Sequence, residues 1–139
     1  MKKWLAILSL GLVLMACGDG VDREALRKQV MDVHDEVMPQ WGGIGKLKSQ
    51  VLKKAADLEA ADSTDAKIKE LRDIAIDLDA AYKVMSVWMQ DWQKNAKPFE
   101  SGEAGKEETL AFFKSEQDRV DKMKVQIQSA IAAAEEALK

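Results

Sequence analysis

Residues 68–92 read IKELRDIAIDLDAAYKVMSVWMQDW. Within them Ile68, Leu71, Ala75, Leu78, Tyr82, Met85, Met89 and Trp92 recur at alternating steps of three and four. That spacing is the signature of one apolar seam running along an α-helix. Ile74, Ala81 and Trp88 widen the seam into a face. The C-terminal stretch repeats the pattern with Leu110, Phe113, Val120, Met123, Ile127, Ile131, Ala134 and Leu138. Gln117 and Lys124 interrupt that stripe; Gln117 reads as a polar register device and Lys124 as an edge residue whose stem covers apolar surface while its ammonium stays wet.

The preceding segment carries Pro39, Gly42, Gly43 and Gly45, which together read as a turn. The apolar phase nevertheless passes straight through: Leu26, Val30, Val33, Val37, Trp41, Ile44, Leu47, Val51, Ala55 and Leu58 never reset. A loop would lose that phase. One first helix of about 35–40 residues also matches partners of about 30 and 33, each about 45–60 Å long at 1.5 Å per residue. The expected fold is therefore an all-α, long antiparallel helical bundle of three helices, the first kinked at Pro39. The alternative is a four-helix bundle broken at residues 39–43. Ala60-Ala61-Asp62-Ser63-Thr64 is a short connection offering side-chain oxygens as N-caps. The longest loop, Asn95 to Gly105, holds Pro98, Gly102 and Gly105.

The chain opens Met1-Lys2-Lys3 and then runs apolar over 13 residues from Trp4 to Ala16, broken by Ser9 and Gly11. That run is shorter than the ~20 residues a spanning helix needs and reads as a secretory signal. Leu14-Met15-Ala16-Cys17 resembles the bacterial lipobox. The resemblance implies cleavage before Cys17 and acylation of its thiol and new amino terminus, and two or three acyl chains anchor stably where one does not. The expected organisation is a signal over 1–16, lipidated Cys17 with a short tether over 17–21, and a bundle over 22–139. Cys17 is the only cysteine, so a lipidated chain has no disulfide and no thiolate metal site. Gly18 after the Cys, where Asp would favour inner-membrane retention, points to the outer membrane. The longest loop would lie at the same end as Cys17, making Phe99 the aromatic most expected at the surface.

Without residues 1–16 the chain carries 19 basic and 24 acidic residues, a net charge of −5. A mildly acidic surface argues against nucleic acid and against a basic membrane-docking face. No Gly-x-Ser-x-Gly element, no Cys-x-x-Cys-His and no paired His-x-x-x-His or Glu-x-x-His occurs, so a closed zinc site, covalent haem and hydrolase chemistry have no residues to carry them. The chain reads as no enzyme.

Two sets of residues stand out. Met31, His34 and Met38 share a helical face, and counting from the bundle ends puts Met85 and Met123 at similar heights. Thioethers with an imidazole suit copper(I) or an axial haem position; the alternative function is thus a periplasmic soft-metal or haem carrier. Methionine also fills bundle cores routinely. His34, Trp88, Trp92 and Phe99 form the second set, candidates for contact with an envelope protein partner. His34-Asp35-Glu36-Val37-Met38-Pro39, with Val87-Trp88-Met89-Gln90-Asp91-Trp92 and Lys97-Pro98 after it, resembles small bacterial lipoproteins often labelled "viral A-type inclusion protein". The resemblance covers most of the chain after Cys17. Its first run is the specific part, and the rest is generic for helices. The label implies no viral function and brings no catalytic residues. It does point to residues 31–39 and 85–98 as the distinctive surfaces. The reading as a whole is a lipid-anchored, non-enzymatic bundle with a protein-binding or structural role.

Overall fold

Asp22 begins the first helix by accepting a hydrogen bond from the Ala25 N–H at 2.9 Å, the N-cap geometry that satisfies one of the otherwise free amides of the first turn. From there the computed structural model, which describes residues 18–139, runs α1 (Arg23–Trp41), α2 (Ile44–Ala61), α3 (Ala66–Asn95), a short α4 (Lys97–Ser101) and α5 (Lys106–Leu138). No strand occurs among the described residues. The expected signal segment and lipidated Cys17 lie outside them. No described helix is long and apolar enough to cross a membrane.

The bundle has three antiparallel arms: α1 with α2, then α3, then α5. The first arm is bent, as its sequence implies, with a specific local cause. Pro39 sits inside α1 and has no N–H for the Asp35 carbonyl. The helical ladder gives way four residues later, at Gly43. Gly42 still donates to Met38 at 3.2 Å, Gly43 donates instead to Gln40 at 3.0 Å, and Leu47 resumes by donating to Gly43 at 3.2 Å. Both glycines stay in the right-handed helical region, at φ −59° and −85°. The chain therefore tightens and bends without reversing. Val30, Val37, Ile44 and Val51, seven residues apart, are all buried, so the heptad crosses the bend intact. The bend changes partners: α1 packs chiefly on α5, and α2 chiefly on α3.

The α2–α3 turn uses its polar residues differently from the simple capping expected. Asp62 accepts from the Thr64 N–H at 2.9 Å and its hydroxyl at 2.6 Å, which holds the carboxyl below its usual range. Asp65, one residue beyond the expected trio, is the N-cap of α3 and accepts from Lys67 N–H at 2.8 Å. At the other end the long connection contains α4, which stops at Gly102 (φ +85°), a left-handed conformation that glycine adopts without a β-carbon clash. Arg27 reaches Glu100 of α4 at 2.8 Å, fixing the start of α1 and this connection at one end of the bundle.

The core follows the widened face of α3: Leu71, Ile74, Leu78, Ala81, Met85, Trp88 and Trp92 are buried, while Tyr82 of the simple three-four seam is 44% exposed. A straight helix turns 3.6 residues per turn, so a strict 3.5 repeat drifts off the contact line. Lys48–Asp79, Arg72–Glu59 and Lys124–Glu36, each at 2.7 Å, join neighbouring arms at the rim. The last of these puts the Lys124 ammonium at the bundle edge. Exposed pairs of this kind contribute ~0–1 kcal/mol each and bias register more than they stabilise.

Gly42 is the place where this geometry predicts a gain. Its backbone is already helical, and an added β-carbon would meet the Pro39 and Met38 carbonyls at 3.7 and 3.9 Å, ordinary contact. Gly42→Ala should stabilise the protein by about 0.5–1 kcal/mol, read as a higher urea midpoint with unchanged slope. Gly43→Ala should gain less, because its β-carbon meets the Gln40 carbonyl at 3.4 Å. Destabilisation by Gly42→Ala would show that the bend needs a conformation only glycine supplies.

Candidate functional site in the aromatic half

The end of the bundle built from the start of α1, the C-terminal part of α3, α4 and the start of α5 concentrates the aromatic rings. His34 of α1 lies 5.4 Å from Trp88, and Trp88 lies 5.4 Å from Trp92. Trp92 meets Phe112 at 5.8 Å and Phe113 at 6.2 Å. Phe112 stacks on Phe99 at 4.0 Å. The tilted pairs, at 5.4 to 6.2 Å, fall in the range where aromatic pairs attract beyond their buried area, and the Phe112–Phe99 stack is closer and nearly parallel. The result is a continuous line of rings from His34 through the core to α4.

A carboxylate is built into that line. Glu116 projects inward from α5 with its side chain 7% exposed. The Trp88 indole Nε1–H donates to its Oε2 at 2.8 Å, and Arg119 donates to its Oε1 at 3.0 Å. Arg119 also donates to Asp91 at 2.8 Å, closing a network across α3 and α5. Burial alone would lower the Arg119 pKa; the bonds to Asp91 and Glu116 outweigh it and hold the guanidinium above its ordinary value. Sequence reading missed Glu116 and assigned the polar register role to Gln117. Gln117 instead bonds Asp121 of its own helix at 3.1 Å. The signal was present: Glu116 stands three residues after Phe113 and four before Val120, filling the one gap in the α5 stripe.

The sequence-selected residues fall into different environments. Trp88 and Trp92 are 3% and 9% exposed and belong to the core, so neither ring offers a free face to a partner. Phe99, expected at the surface, is only part-exposed because it stacks on Phe112. His34 keeps 16% of its side-chain surface, and its Nδ1 lies 2.8 Å from Asp35 Oδ1. Of the four, His34 and Phe99 reach the surface. Of the thioethers, Met85 and Met123 are buried in the core, and Met31 and Met38 pack against it. Ligating a metal through Met85 or Met123 would require turning a fully packed side chain. Among the described residues no three His, Cys, Asp or Glu side chains are grouped to hold an ion. Trp41, the remaining tryptophan after residue 17, serves the bend: its Nε1–H donates to the Tyr82 carbonyl at 3.0 Å and its ring stacks on Tyr82 at 4.5 Å.

The first described residues are tied to this same end. Both terminal nitrogens of Arg23 bond Asp19, and the Val21 N–H donates to Asp19 Oδ1 at 3.0 Å. The Arg23 bond first, and then the Val21 amide, hold the Asp19 carboxyl at about 2. An apolar groove of about 350 Å³ opens nearby between α1 and α5, with Leu26, Leu110 and Phe113 in its lining. Leu110 is 42% exposed there, and Val87 on α3 is 51% exposed. No family model, curated protein or solved structure matches the chain.

Two predictions come from this geometry. Trp88→Phe keeps a ring in place but leaves Glu116 without its indole donor, which should cost about 1–3 kcal/mol beyond the lost ring area. Glu116→Leu orphans the indole N–H instead. The double variant should cost less than the sum of the two by about 1 kcal/mol or more in urea unfolding; strict additivity would mean the bond contributes nothing. Asp19, whose folded pKa lies below its unfolded one, adds stability above pH ~4 that fades as pH falls toward 2. Its NMR titration midpoint should be about 2 and return toward 3.8 in Arg23→Gln. A wild-type midpoint near 3.8 would contradict the tie.

Proposed function

We propose that this chain is a lipid-anchored, non-enzymatic bundle of the bacterial cell envelope, held by acyl chains on Cys17 and binding another envelope protein through its anchor-side half. The supporting observation is the aromatic line that stiffens this half while leaving His34 and Phe99 at the surface. Binding surfaces are most specific when rigid elements carry them. The α1–α5 groove with Leu26 and exposed Leu110 lies in the same half and adds a largely apolar opening to it. Trp88 and Trp92 act in this reading as support under the contact surface. The lipobox-like Leu14-Met15-Ala16-Cys17 supports the anchor, and the residues just after it, tied through Asp19 and Arg23, would keep the bundle close to the bilayer. The outer membrane remains the preferred location, on the Gly18 position.

The test is cross-linking of the full-length protein in its native membranes, followed by purification and identification of what is attached. A defined partner should be recovered with wild type and lost with Leu110→Glu, a surface change, or with His34→Ala, for which unchanged circular dichroism must show that the packing on Trp88 is not what was lost. Cys17→Ser should abolish acyl labelling and membrane recovery together. Equal recovery of the same partner from Leu110→Glu and His34→Ala would defeat the assignment of the contact surface. Unchanged acyl labelling in Cys17→Ser would defeat the anchor.

A further inference from the structure

We draw no further inference here: the strongest candidate, the open groove of about 660 Å³ between α3 and the alanine-rich end of α5, with Leu71, Ile74, Ala133 and Ala137 in its lining, is an unpartnered face whose lysines and carboxylates balance in sign, and nothing in the structure shows what covers it.

Discussion

Glu116 can remain inside the bundle only while the Trp88 indole and the Arg119 guanidinium reach it, and that condition orders the aromatic half. A buried carboxylate without donors is costly, whereas one with two good bonds specifies a single arrangement of the helices around it. Sliding α5 along α3 by one turn would strand the carboxylate and the indole N–H at once. The apolar contribution is larger in absolute size. Burying a tryptophan removes about 150–250 Å² from water, worth about 4–6 kcal/mol at ~25 cal/mol/Å², against less than ~1 kcal/mol for each rim ion pair. Hydrophobic burial thus drives the packing of Trp88 and Trp92. The Glu116 network selects which packing is adopted, and α1 follows through the contact of His34 with Trp88.

The two halves of the molecule differ for reasons visible in their side chains. The aromatic half packs wide rings between α3 and α5 and carries α4 across its end. The opposite half packs alanines among aliphatic side chains, with Ala55, Ala75, Ala130 and Ala134 beside Val51, Leu71, Ile74 and Ile127. Between them lies the Gly42–Gly43 bend, fastened by Trp41 on Tyr82. The bend shifts the first arm from α5, its main partner along α1, to α3, its main partner along α2, while α2 keeps a smaller contact with α5. Pro39 and the two glycines weaken the helix locally, and Trp41 determines where the weakened segment comes to rest.

The architecture was legible because the apolar phase carries it. The unbroken steps through Val37, Trp41 and Ile44 implied one bent arm, even though Pro39 and the glycines looked like a turn. The capping residue of α3 was missed by one position because Asp62, Ser63, Thr64 and Asp65 all offer oxygens, and backbone geometry alone decides that Asp62 closes the turn while Asp65 caps the helix. The candidate site was less legible. Trp88 and Trp92 were picked out by their type, but whether a ring on a helix face points in or out depends on which neighbour covers it. Phe99 illustrates this, since a loop position predicted exposure and the fold supplied Phe112 as a stacking partner. Glu116 was overlooked because a carboxylate in an apolar stripe reads as surface until its donors, 28 residues away at Trp88, are brought to it by the fold.

A rigid anchor-side half is what the proposed role requires, since a contact surface at His34, Phe99 and Leu110 is only as defined as the core beneath it. Amide hydrogen exchange, resolved along the chain, measures this directly, because local opening scales inversely with buried contacts. The slowest amides should lie in residues 85–92 of α3 and 113–123 of α5, with α2 and the alanine-rich end of α5 opening first. Uniform protection along the arms, or a more protected alanine-rich half, would contradict the account.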